Sequence, residues 1–301
     1  MSPLRGILLM ITAISLFVVM GSLVKAAVRI PAGEAVFFRS FCAMPVIVAW
    51  LWARGDLATG LRTSNWRNHA VRGIAGTCAM ALGFTGLKLL PLPEVTAIRF
   101  ATPILIVIFA AVILGETLRL IRLSAVVVGL IGVMIVMWPR LQFEGGQMAL
   151  IGALVTLGSA TLAALAQVFI KSMAATEKTA AIVFWFSLTA TCLSLLSVPF
   201  GWVMPQGHEW LLLIGAGLVG GAGQICVTSS YRFADASLLA PFTYVSMIWA
   251  LIIGYFVFGE TPTVPMLLGA GLVISAGVAI VLRERQLGLR RTAERKVQGQ
   301  V

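Results

Sequence analysis

The sequence predicts an all-α integral membrane protein in which ten transmembrane helices form two inverted five-helix repeats. Three observations carry this reading. The composition is apolar with few charges, the apolar residues fall in ten continuous segments, and the second half reproduces landmarks of the first at a fixed offset.

Of the 301 residues, 59% are hydrophobic and 11% charged, and the mean hydropathy is +1.00. A water-soluble domain carries roughly a quarter of its residues charged, so this exterior faces something other than water. Spanning strands would show roughly ten-residue segments of alternating polarity, whereas the apolar runs here are unbroken. The net charge of +11 comes from loops and from a basic tail, residues 283–301, that holds Arg283, Arg285, Arg290, Arg291, Arg295 and Lys296. Such clusters set topology and touch anionic headgroups of the lipid bilayer. The tail lacks the interleaved aromatics of a nucleic-acid binder, so no nucleic-acid partner is expected. Cys42, Cys78, Cys192 and Cys226 all lie in apolar segments without metal-ligand or disulfide spacing. The two histidines, His69 and His208, are expected in loops on opposite sides of the membrane, where they cannot share a triad or a metal. Neither enzymatic activity nor a cofactor is expected.

The expected spans are 4–24, 34–53, 70–89, 95–114, 121–138, 148–170, 179–199, 210–231, 236–258 and 264–282. Segment 4–24 is read as the first span and not as a signal peptide, because no small-residue cleavage site follows it. Breaks fall at Pro31 and Gly33, at Pro91 and Pro93, at Pro139, Gly145 and Gly146, and at Pro205 and Gly207. With the N-terminus inside, sixteen Lys and Arg side chains, Arg72 among them, lie on the cytoplasmic side. Four lie outside (Lys25, Arg29, Lys88 and Arg140), and Arg39 and Arg99 lie within helices. This asymmetry predicts both termini in the cytoplasm.

At an offset of 144 residues, Trp66 matches Trp210, Gly73 matches Gly217, Gly76 matches Gly220, and Gly115-Glu116-Thr117 matches Gly259-Glu260-Thr261. One residue later in register, Gly132–Val136 matches Gly277–Val281. A five-helix repeat has an odd number of spans, so its second copy enters the membrane from the opposite side. Two inverted halves can exchange conformations around a shared central site, which is how secondary transporters alternate access.

The stretch Glu94-Val-Thr-Ala-Ile-Arg-Phe-Ala-Thr-Pro103, followed by Gly115-Glu116, resembles the fourth-helix pattern of the EamA-type members of the drug/metabolite transporter superfamily. Ala240-Pro-Phe-Thr-Tyr244, Trp249-Ala250 and Gly259-Glu260 resemble the ninth-helix pattern. The resemblance implies one EamA-type repeat over 1–140, a second over 147–282, and a cytoplasmic tail over 283–301. It also implies a central cavity lined by both halves and a small-molecule substrate. The expected function is gradient-driven transport, by alternating access, of an amino-acid-type metabolite or a flat vitamin such as riboflavin. The expected location is the inner membrane of a bacterium. A non-transporting membrane scaffold or receptor is the competing reading, and the sequence leaves a homodimer open.

Arg39 and Arg99 are read either as snorkelling to the outer headgroups or pairing with Glu34 and Glu94, or as clamps for a substrate carboxylate or phosphate. Gln167 and Gln224 are amides that need several partners inside a span. Phe100, Trp185, Tyr244 and Trp249 are the aromatic candidates for the cavity wall. The carboxylates Glu34, Glu94, Glu116, Glu177, Glu209, Asp235 and Glu260 all lie near helix ends, so an embedded acidic proton relay is not expected. Glu116 and Glu260, each after a helix-ending glycine, are expected to cap the helix that follows. Gly217 and Gly221 are expected to allow close helix contact.

Overall fold

The computed structural model describes residues 3–56, 59–114, 127–128, 131–132, 134–135, 138, 146–173, 176–233, 239, 242–243, 245–272, 274–275 and 278. Tyr244, Glu116, Asp235, Arg140, the basic tail and most of the expected fifth span lie outside these residues. Among the described residues all regular structure is helical. The α-helices are α1 (Pro3–Ala26), α2 (Ala32–Phe41), α3 (Ala43–Ala53), α4 (Trp66–Leu89), α5 (Leu92–Arg99), α6 (Ala101–Leu114), α7 (Gly146–Met173), α8 (Thr179–Leu195), α9 (Glu209–Phe233) and α10 (Val245–Phe258). Residues 264–272 are also helical.

Two expected spans prove to be broken helices. Proline lacks an N–H and clashes with the carbonyl four residues earlier. Pro45 therefore interrupts the helix behind it and separates α2 from α3 at Cys42. Pro103 does the same at Phe100, between α5 and α6. The expected span 179–199 ends at Leu195 and passes into a short 3-10 turn, Val198–Phe200, before Gly201 in the left-handed region.

Among the described residues five helical segments are long and apolar enough to cross a membrane: Leu4–Ala26, Ala32–Ala53, Trp66–Leu89, Gly146–Ile170 and Glu209–Phe233. Thr179–Leu195 and Val245–Phe258 are shorter apolar helices. Large apolar side chains such as Trp52, Leu211 and Phe256 are exposed. In water such a surface would aggregate; in a bilayer it is solvated by acyl chains. The chain is a multi-pass membrane protein.

Packing follows the sequence repeat. The longest contacts run between α1 and α9 and between α4 and α7, each joining a first-half helix to a second-half helix. Helix α2 packs on α8 and α9, and α8 packs on α4. Trp66 and Trp210 stand at the starts of α4 and α9, so the repeated Gly73/Gly76 and Gly217/Gly220 pairs occupy equivalent turns. Gly217 lies against Phe38 and Cys42, and Gly221 against Ala43, at the break between α2 and α3. A side chain at either position would push α9 off the broken helix. The main buried cluster draws on both halves, from Val24, Ile30 and Ile98 to Ala153 and Leu213.

Candidate functional site

Halfway along α8, Phe186 is flanked by two arginines. The Cζ of Arg72, from α4, lies 3.8 Å from the centre of its ring, and that of Arg39, from α2, lies 5.4 Å away. The quadrupole of an aromatic ring attracts cations, so one ring can hold both guanidiniums in place. Arg39 and Arg72 are only 2% and 4% exposed. Arg39 Nη2 donates to Gln224 Oε1 of α9 over a long 3.4 Å. Nε and Nη1 of each arginine are buried without a hydrogen-bond partner among the described residues.

Two glycines make room for this arrangement. The Arg72 guanidinium lies where a Cβ on Gly76 would project, between that glycine and Phe186. Arg39 Nε lies 3.2 Å from the equivalent point on Gly220, beside Met20. Gly76 and Gly220 are one of the glycine pairs that match across the repeat, so both halves make room at equivalent turns. The chemistry is not symmetric, because 144 residues on from Arg39 and Arg72 stand Val183 and Ala216.

Polar ties hold both ends of the bundle. At one end Lys25, in the last turn of α1, donates to the carbonyls of Leu87 and Leu90. Lys88, in the last turn of α4, donates in return to the carbonyls of Ala27, Val28 and Ile30. Each lysine thus supplies donors to carbonyls at or just beyond the other helix's C-terminus. Glu260 Oε1 pairs with Lys25 at 3.0 Å, and its Oε2 accepts from the Leu92 N–H at 2.7 Å. Glu260 therefore caps α5 in the first half and not the helix that follows it, which corrects the sequence expectation. The preceding Gly259 has a φ of 64°, which turns the chain toward that contact. At the same end Glu34 accepts from the Val203 N–H, and Arg29 approaches Glu209.

At the other end Glu177 accepts from Thr63, from the N–H and hydroxyl of Ser64, and from the Asn65 N–H. His69 Nε2 lies 3.7 Å from its other oxygen, and Arg232 donates to its carbonyl. Burial raises the Glu177 pKa, but these bonds from Ser64 and Thr63 and the charge of His69 outweigh it and hold the carboxyl below the ordinary 4.5. Lys178 bridges to Asp56 and Thr59. His69 itself is in the first turns of α4 and buried, not in a loop.

Of the residues singled out from sequence, the structure brings Arg39 and Gln224 together. Arg39 points inward to Gln224 and Phe186; it does not bond Glu34, which serves Val203. Arg99 ends α5 and is exposed, and Phe100 is buried at the break that follows. Gln167 is half-buried on α7. Trp185 points its Nε1 to the Leu61 carbonyl at 3.0 Å, toward the loop end. Trp249 is 38% exposed on α10. Arg72, counted from sequence only as a cytoplasmic-side charge at the start of the expected span 70–89, is buried within α4. Its signal was present: it stands four residues before Gly76, on the same helix face. An open groove, with Val127, Ile131 and Trp138 on one side and Val264, Pro265 and Leu268 on the other, is apolar among the described residues.

A buried polar cluster at the junction of two similar halves, within a lipid-facing shell, defines a multi-helix membrane protein with a polar interior. The EamA-like transporter family model matches the chain twice, over residues 4–138 and 150–283, and the chain belongs to that family. It is 29% identical to the pseudopaline exporter CntI of Pseudomonas aeruginosa over 280 residues, 91% of this chain and 95% of that one. It is 27% identical to the riboflavin transporter of Vibrio cholerae, over 90% of this chain and 91% of that one. It is also 27% identical to the S-adenosylmethionine uptake transporter of Rickettsia prowazekii, over 86% and 85% of the two chains. A solved crystal structure, 23% identical, superposes with a TM-score of 0.68 over 94% of this chain and 98% of its own, a likeness of fold. The relatives are named as transporters, and the chain is a transporter of the same family.

Proposed function

We propose that this chain is a gradient-driven secondary transporter of a small organic metabolite in a bacterial inner membrane. It works by alternating access between two inverted five-helix repeats, 1–140 and 147–282, that together make ten spans. Both termini, with the basic tail 283–301, are cytoplasmic. The observation that carries this reading is the Arg39–Gln224 contact beside Phe186, buried where α2, α4, α8 and α9 meet. Polar groups in a spanning bundle are costly unless they serve a path or a fold contact. These donors are only partly used by the fold.

The substrate class is an amino-acid-type metabolite or a flat vitamin. The named substrates of the relatives, pseudopaline, riboflavin and S-adenosylmethionine, are all of metabolite size. Gln224 orients the solute, and Arg99, Phe100, Gln167, Tyr244 and Trp249 are further candidates for its wall. The test is flux in proteoliposomes holding the purified protein, with riboflavin, S-adenosylmethionine and a panel of amino acids. Saturable counterflow of any of them supports transport. Binding without flux across the panel would favour a receptor or scaffold.

A further inference from the structure

We infer that the paired guanidiniums of Arg39 and Arg72 on Phe186 form a binding site for a doubly charged oxyanion group, a phosphate ester or two neighbouring carboxylates, on the transported molecule. This rests on the transporter reading and gives its substrate a charge. An arginine used only to hold a fold is hydrogen-bonded throughout, because an unpaired buried donor is costly and an unpaired buried charge more so. Here four nitrogens, Nε and Nη1 of each side chain, are orphaned. Among the described residues neither arginine has an ion pair. The two charges repel each other, and the Arg39 charge bears directly on Arg72.

The fold nevertheless holds them together, with Gly76 and Gly220 leaving the space that side chains would fill. Two like charges are held at one ring with no acidic partner among the described residues, so the ligand that completes them is an anion. Charge balance sets that partner at two negative charges. Guanidinium donors match carboxylate and phosphate oxygens in geometry as well as sign. Gln224 already occupies Arg39 Nη2, so the remaining donors face the ligand.

The experiment measures the apparent melting temperature of the purified protein with sodium phosphate, succinate, acetate or chloride at equal ionic strength. A ligand that binds the native state raises it. Phosphate or succinate is expected to raise it in a saturable way, beyond acetate and chloride. The stronger of the two identifies the phosphate or the dicarboxylate source. Arg72→Gln and Arg39→Gln are each expected to weaken the phosphate or succinate response tenfold or more. Without added anion they should melt at or above the wild-type temperature, since an uncompensated charge has been removed. Arg72→Lys, which keeps the charge, covers the case of poor expression and should retain part of the response. Equal stabilisation by chloride, no anion response at all, or variants that melt lower yet respond fully would overturn the site. Anion protection without flux would remove the transport reading and leave the site. Flux of neutral solutes without anion protection would do the reverse.

Discussion

Glu260→Ala probes the tie between the two halves at one end of the bundle. The carboxylate does two things: it caps α5 through the Leu92 N–H at 2.7 Å, and it neutralises Lys25 at 3.0 Å. Losing a cap costs about 1 kcal/mol. Leaving a buried charge without its partner costs roughly 3–5 kcal/mol when burial is complete. The side chains of Lys25 and Glu260 are 13% and 15% exposed, and Lys25 keeps the carbonyls of Leu87 and Leu90. A discounted ion-pair loss of about 1–3 kcal/mol is therefore expected, giving about 2–4 kcal/mol in all. At roughly 2 °C per kcal/mol for a chain of this size, the apparent melting temperature should fall by about 4–8 °C. Glu260→Gln keeps an acceptor for Leu92 and should lose only the ion-pair part. Adding Lys25→Met to Glu260→Ala removes the stranded charge but also the donors to Leu87 and Leu90, so the ion pair is read as a coupling of about 1–3 kcal/mol in a double-mutant cycle. Purified variants in detergent, followed by thermal denaturation, suffice. If Glu260→Ala melts with wild type, or if the two substitutions are additive, Glu260 does not join the halves as described.

Three further outcomes are expected. The Glu177 carboxyl is held below its ordinary 4.5, so it contributes stability above that pH and loses it as pH falls through the lower folded value. Glu177→Gln should flatten the acid limb of melting temperature against pH below about 4.5, and an unchanged limb would place the acid sensitivity elsewhere. A Cβ on Gly217 would sit 2.8 Å from the Phe38 carbonyl oxygen, whereas one on Gly215 would meet Leu23 Cδ1 at an ordinary 3.5 Å. Gly217→Ala should thus cost about 1–3 kcal/mol of stability while Gly215→Ala costs none; similar melting of the two would remove the close-approach argument. Gln224→Leu keeps bulk and removes the amide proposed to orient the solute, so substrate binding in proteoliposome assays should weaken by about fivefold or more, the scale of one hydrogen bond. Unaltered binding would leave Gln224 as an interhelical contact alone.

Helix positions were legible because bilayer crossing demands long apolar runs, and those runs are present in the sequence whatever the packing. The breaks at Cys42 and Phe100 were legible too, had Pro45 and Pro103 been given their steric weight three residues on. Glu260 was misread because capping rules look forward along the chain, while its partners, Leu92 and Lys25, come from the other half. Lys25 and Lys88 counted as topology markers, yet each also donates to carbonyls near the end of a neighbouring helix. Arg72 was passed over as one of the cytoplasmic-side charges, since sequence records that a charge is near a helix start and not which way it points.

By itself the sequence determined the class of the protein: a helical, membrane-embedded chain of two similar halves in the EamA-like family. Hydropathy, proline and glycine act locally, so they can be read along one dimension. Tertiary structure alone decided which polar groups meet. Arg39, Arg72, Phe186 and Gln224 come from four helices and span 185 residues between the first and the last. They are joined only because matched glycines let α4 and α9 approach their neighbours closely. Whether a buried charge is satisfied or left open depends on distances of a few ångströms between distant parts of the chain, and those distances are fixed by packing.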